Sequence, residues 1–250
     1  MLTTKPTTIQ RAIEVFVRGF AFTRSFTHPY LVEPVGPLWV MRDGPRKRGD
    51  YRTEEWIAYQ VAPQEIDQIA RTHTRGRFCV CVLFDRDESQ SAARADFKAL
   101  GYRLMTTEPF MVHPLTDLLI IDAPAVIERV LRPDLAERLA KAAGKRQILP
   151  EHLTPNAPLR QYVATIENEL VGWVRSIVIG DATWCADMCV EPAFRRRGIA
   201  RALLSRMLQD DRDHGATLAV LLASHVGAKL YPVVGYQQIG ELLLYTPKKQ

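Results

Sequence analysis

The chain has 250 residues, 47% hydrophobic and 24% charged, a globular balance that admits one large domain or two smaller ones and excludes wholesale disorder. Its net charge is +5, with the positive residues spread along the chain, so the concentrated basic face of a duplex-binding protein is not expected. No apolar run reaches the ~18–20 residues of a membrane span, and no membrane partner is expected.

In chain order, Ile9, Ile13, Phe16, Val17 and Phe20 recur at helical spacing with Arg11, Glu14 and Arg18 opposite, which predicts an amphipathic helix. Those charges also interrupt MLTTKPTTIQRAIEVFVRGF where a secretion signal needs an unbroken apolar core, so the chain reads as cytoplasmic. PLWVM (37–41) reads as a short strand, and the charged, turn-rich RDGPRKRGDYR (42–52) as a mobile solvated loop. PQEIDQIARTH (63–73) reads as a helix, RFCVCVLF (77–84) as a strand, and DESQSAARADFKALG (87–101) as a helix ended by Gly101. An extended strand follows.

Pro114, Pro124 and Pro133 punctuate the middle of the chain. A helix starts at Pro133 and ends at Gly144, so the second half is expected to open with a helix. LRQYVATIE, ELVGWVRSIVIG and ATWCADMCVEP then read as an antiparallel meander with turns at Asn168 and Gly180-Asp181. A helix marked by Ile199, Ala202, Leu203 and Met207 follows. Next come a buried strand over 216–223, a short helix over HVGAKLYPVVG and a last strand over 236–245. Strand–helix–(Leu/Val)-Gly-Tyr–strand occurs twice, around Tyr102 and Tyr236, which suggests two related domains.

Cys79, Cys81, Cys185 and Cys189 form no CxxC pair. Their spacings are not those of zinc knuckles, so no metal is assigned and they read as small hydrophobes. Trp184, Trp173 and Tyr162 lie on successive strands, as sheet packing or as an aromatic floor.

EPAFRRRGIARALL (191–204) sets three arginines before a glycine and a helical apolar pattern. A helix start offers unpaired N–H groups and the positive end of the macrodipole, and Gly198 lets an anion approach the backbone. No Lys-Ser/Thr follows, so this is not the nucleotide P-loop.

Arg195-Arg196-Arg197-Gly198-Ile199-Ala200 resembles the (Q/R)xxGx(G/A) signature of the GNAT acetyltransferase superfamily. DMCVEP resembles the strand leading into that loop, and LYPVVGY (230–236) the LYxxxGF/Y motif after the next strand. The resemblance covers roughly 120–250. It implies an α/β (α+β) fold whose mixed sheet is splayed and flanked by helices. Acetyl-CoA would lie on backbone groups of Met188, Cys189 and Val190, its pyrophosphate on amides of residues 195–200, with no metal. Tyr231 matches the family's proton donor to the departing thiolate, although Pro232 directly after it departs from the pattern. Ser224 stands where many relatives contact the cofactor through asparagine, and otherwise reads as a helix N-cap. Asp187 is the candidate base or acceptor anchor if a bulge turns it inward, and His225 is a candidate at the rim.

The resulting expectation is a degenerate GNAT-like domain over 1–116 and a catalytic one over 117–250. The function expected is transfer of an acetyl group to a primary amine of a small molecule or peptide. The alternative is a non-catalytic acyl-CoA-binding sensor or scaffold. A nucleic-acid binder using RRRG and RDGPRKR ranks below both. Oligomeric state stays open, a homodimer included.

Overall fold

The computed structural model describes residues 8–122 and 124–248, so the first seven residues of the stretch tested for a leader lie outside it. In chain order the elements are α1 (Thr8–Arg24), β1 (Tyr30–Val35), β2 (Leu38–Asp43), β3 (Glu54–Tyr59), α2 (Pro63–His73), β4 (Phe78–Asp85), α3 (Ser91–Ala99) and β5 (Tyr102–His113). Then follow β6 (Val126–Arg129), α4 (Pro133–Ala142), β7 (Leu159–Ile166), β8 (Glu169–Ile179), β9 (Ala182–Val190), α5 (Ile199–Asp213), β10 (Leu218–Leu222) and β11 (Gln237–Pro247). Parallel and antiparallel pairing both occur, giving an α+β architecture of open mixed sheet and flanking helices. Among the described residues no helix is long and apolar enough to cross a membrane.

Two compact units divide the chain. The first runs to Met111 and also takes Leu222–His225 and the stretch from Gln238; the second takes Val112–Leu221 and Val226–Gln237. The sequence places a single boundary at 116. The last strand instead completes the first unit, where β11 pairs antiparallel with β4 from Gly240↔Asp85 to Tyr245↔Val80. Alternation within β11 marks it as a strand but carries no information about its partner.

In the first unit the strands lie in the order β1-β2-β3-β4-β11-β5. Trp56, Val80, Val82, Phe97, Tyr102, Leu243 and Tyr245 share its core. Phe97 stacks on Tyr245 at 4.3 Å and meets Tyr102 edge-on at 5.5 Å. The sequence pattern passes over β1 and β3 because polar residues are buried in or beside them. Glu55 accepts from the Tyr30 hydroxyl and pairs with Arg24 at 2.9 Å. Residues 42–52 are clipped where composition suggested a mobile loop. The buried Asp43 carboxylate takes the Arg52 N–H at 2.8 Å, Arg52 Nε at 2.6 Å and Arg46 Nε at 2.7 Å.

The second unit has the order β10-β9-β8-β7-β6. It opens with the edge strand β6, which the sequence analysis did not foresee, ahead of α4. The β7–β8 hairpin turns at Glu167 and Asn168, both at positive φ (47° and 69°), the pattern of a type I′ turn. Helix α5 lies over β7, β8 and β9 and buries Ile199, Ala202, Leu203, Leu204, Met207 and Leu208. Tyr162, Trp173 and Trp184 are buried opposite Val174, Cys189 and Ile177. None stands directly opposite another. Cys79, Cys81 and Cys185 are buried free thiols, and Cys189 is half-buried.

Candidate functional site

The second unit opens along β9. Strand β10 runs parallel to it through only three pairs, Leu218↔Ala182, Ala219↔Thr183 and Val220↔Trp184. Past Trp184 that edge of β9 meets no strand within the unit among the described residues, and residues 186–189 are half-buried. On the other edge, Trp173 stands opposite Cys189 and Arg175 opposite Ala186, so β9 carries one extra residue. Asp187 sits in that bulge at φ +55°. The bulge ends the alternation by which Cys185, Asp187 and Cys189 would share a face.

Asp187 is already engaged. Its Oδ2 accepts from Arg175 Nη2, and its Oδ1 lies 3.8 Å from Lys145 Nζ. Arg175 is itself buried and donates to the Gln147 carbonyl at 3.2 Å. Burial pulls the guanidinium pKa down while Asp187 opposes the shift.

After β9 the chain makes a turn at Pro192–Phe194 and reaches α5 through the arginines. Glu191 N–H bonds to Val171 O at 2.8 Å. Arg195 Nε returns to Val190 O at 2.9 Å and fixes the end of the strand. The Arg197 guanidinium lies over the Phe194 ring at 5.2 Å. Arg196 and Gly198 adopt φ of +63° and +85°, a pattern that gathers successive N–H groups into an anion-binding concavity. At Gly198 a Cβ would meet only Arg201 Nη2, at 3.7 Å. The requirement for glycine there is therefore the left-handed backbone, which costs an L-residue roughly 1–2 kcal/mol.

The first bond of α5 runs from Ala202 N–H to Gly198 O at 3.1 Å, leaving the amides of Ile199, Ala200 and Arg201 without an intrahelical acceptor. No backbone acceptor meets the N–H groups of Arg196, Arg197 and Gly198 among the described residues. The Ile199 side chain is buried in the core, so only its amide is free to serve a ligand.

Tyr231 begins a short 3-10 turn, Tyr231–Val234, and is 8% exposed. Its ring meets Tyr236 edge-on at 5.6 Å. Burial, with Cys185 adding to it, pushes the phenol well above its ordinary pKa. Cys185 is a buried thiol, and burial pushes it up to about 12. The helix expected over HVGAKLYPVVG does not form; Gly227–Lys229 and Tyr231–Val234 are separate 3-10 turns. Pro232 lacks the N–H and cannot continue a helix past the preceding turn. Ser224 therefore has no α-helix to cap. It is exposed, as is His225, and both fall in a segment of the first unit.

One buried network lies outside the sequence expectations. Asp211 on α5 is fully buried and accepts from Arg160 at 2.8 Å, Ser176 Oγ at 2.7 Å and Thr183 Oγ1 at 2.9 Å. Burial raises its pKa to about 6 against the lowering effect of those donors. The available signal was its place on the apolar stripe, seven residues after Leu204.

A mixed sheet opened along one strand, an amide-lined loop at the adjoining helix start and a buried tyrosine past the next strand make up the candidate site. Residues 158–238 match the acetyltransferase (GNAT) domain family, and the chain carries a GNAT domain there. No curated protein matches the chain. A GCN5-related N-acetyltransferase from Kribbella flavida is similar over 96% of this chain and 96% of its own, at 15% identity and a TM-score of 0.69. One from Sphaerobacter thermophilus covers 84% of this chain and 76% of its own at 19% identity and a TM-score of 0.57. A tandem GNAT protein from the clavulanic acid biosynthesis pathway covers 96% and 95% at 12% identity and a TM-score of 0.53. The shared property is the fold, and it extends across both units.

Proposed function

We propose that the second unit is an acetyl-CoA-dependent N-acyltransferase that moves an acetyl group to a primary amine of a small molecule or peptide by direct attack. The observation that carries this reading is the row of acceptor-free amides from Arg196 to Arg201, adjoining the unpaired edge of β9. Amides held by strand and helix are donors that need no reorganisation to meet diphosphate or amide oxygens. Met188, Cys189 and Val190 supply the strand edge, and Arg195, Arg196 and Arg197 add positive potential.

When bound, the thioester supplies the activated acetyl group. Tyr231 holds the proton that the departing thiolate takes up. Its raised pKa does not disqualify it, because burial acts on both partners. Burial raises the Cys185 thiol as well, so a thiolate buried in like surroundings is a stronger base than a free one. Asp187 already faces two cations, which suits shaping the strand or anchoring an acceptor's donor group better than abstracting a proton.

The test is acetyl-CoA binding by thermal shift, then thiol release over a panel of primary amines. Replacing Tyr231 by Phe should cut turnover by about 100-fold or more with acetyl-CoA affinity unchanged. Binding with no thiol release for any amine would instead make the unit an acyl-CoA sensor, and absence of binding would end both readings.

A further inference from the structure

We propose that His113 is a positioning residue for Tyr231, a role that rests on the acyltransferase reading above. The break at Pro232 creates the need for it. With no α-helix after β10, Tyr231 sits on a turn whose internal bonds are few. Gly235 N–H closes on Pro232 O and Tyr236 N–H on Tyr231 O, both at 3.1 Å. The buried Val234 carbonyl takes its hydrogen bond from elsewhere in the unit, from His113 Nε2 at 3.0 Å.

The tautomer follows from the partners. His113 Nδ1 lies 2.9 Å from the Leu115 N–H and accepts from it, so Nε2 carries the proton and donates to Val234 O. His113 is 2% exposed, and burial lowers its pKa, which favours this neutral form. Packing follows the same line. The His113 ring meets Tyr236 edge-on at 5.4 Å, and Tyr236 meets Tyr231 edge-on at 5.6 Å. Gly235 lies at φ +98°, and a Cβ there would come within 2.5 Å of His113 Nε2. The turn is thus closed onto the imidazole, with space for a glycine and nothing larger.

The experiment uses the full-length protein with ¹³Cζ-labelled tyrosine. The Tyr231 resonance is identified by its loss in Tyr231→Phe. In His113→Gln the side-chain amide nitrogen reaches about where Nε2 was, so donation to Val234 O survives. In His113→Asn the shorter amide can serve only Leu115, and His113→Ala serves neither. All three variants lose the imidazole ring current, so that effect cancels among them.

Compared with His113→Gln, the Tyr231 resonance should move further from its wild-type position in His113→Asn and His113→Ala. With an amine that turns over, the latter two should lose roughly 10- to 100-fold in kcat at unchanged KM for acetyl-CoA. A Tyr231 signal that moves as far in His113→Gln as in His113→Asn, or in neither His113→Asn nor His113→Ala, overturns the proposal. Should His113→Ala fail to fold, the Gln and Asn pair decides alone. If no amine turns over, the resonance still reports on positioning, so failure of the catalytic reading is told apart from failure of this one.

Discussion

The same passage from strand to helix occurs in both units, from β3 to α2 and from β9 to α5, and it is built in opposite ways. In the first unit β3 and β4 stay zipped through six parallel pairs, Glu54↔Phe78 to Tyr59↔Leu83, whereas β9 and β10 part after three. Only residues 60–62 separate β3 from α2, against 191–198 between β9 and α5. Helix α2 begins with Pro63, which has no N–H, and carries Glu65 in its first turn. Helix α5 begins after a left-handed glycine with no acid in its first turn. A closed edge, a missing donor and a carboxylate at the helix start each work against an anion. One architecture thus gives a closed edge in one place and, in the other, an open edge proposed to cradle a diphosphate.

The two helices are also held down differently, and this gives the largest expected effect. Helix α2 buries Ile66 and Ala70 and is tied by the Tyr102 hydroxyl to the half-exposed Asp67 at 2.7 Å. Helix α5 is tied by Asp211 to three strands. Asp211→Ala leaves Arg160 buried without its counter-ion and should cost about 3–5 kcal/mol in denaturant unfolding. Asp67→Ala should cost about 1–2 kcal/mol, the Tyr102 hydrogen bond and the exposed Arg71 pair at 2.6 Å. Equal losses would contradict the comparison. Because the folded pKa of Asp211 is raised to about 6 from 3.8, the folded state holds its proton preferentially between those values. Its contribution is full below about 4 and is lost as pH rises through 6. The gap in Tm between wild type and Asp211→Ala should therefore widen as pH is lowered from 7 to 5, and a gap that narrows would refute that direction of shift.

The next effect concerns the cradle. Gly198→Asp places an L-residue at φ +85° and a carboxylate where the diphosphate is proposed to rest. Acetyl-CoA affinity, read by calorimetry, should fall on the order of 100-fold, about 3 kcal/mol. Unchanged affinity would place the carrier elsewhere.

Residues 191–204 were legible from sequence because their chemistry is local: a glycine where φ is positive, arginines around a helix start, apolar spacing behind. Tyr231 was legible through its neighbours in LYPVVGY. What stayed hidden depends on contacts distant in sequence. Asp211 reads as one more charge on a charged helix until Arg160, Ser176 and Thr183 come together beneath it. His113 is 121 positions from Val234, and nothing near it in the chain announces a partner. The exchange of β11 into the first unit is hidden for the same reason. The bulge at Asp187 could be entertained from sequence, but its ion pair with Arg175 could not, since ideal alternation puts the register between β8 and β9 one residue off.

The smallest effect tests the silent copy of the passage. Ala62 is the N-cap of α2, in extended conformation (φ −65°, ψ 142°), and no side chain caps the helix there. Its carbonyl already accepts from Ile66 N–H at 3.0 Å. In Ala62→Ser a hydroxyl is placed to accept from the second or third amide of the helix, with Glu65 three residues on completing a capping box. The gain should be about 0.5–1 kcal/mol, and acetyl-CoA affinity should not change. The same substitution at Gly198 should do the reverse. That cap is left-handed, so serine would be strained at φ +85° and its hydroxyl would compete for the amides proposed to hold the diphosphate. If Ala62→Ser altered acetyl-CoA affinity as strongly as Gly198→Ser, the first unit would share in holding the carrier, and the division between scaffold and cradle would fail.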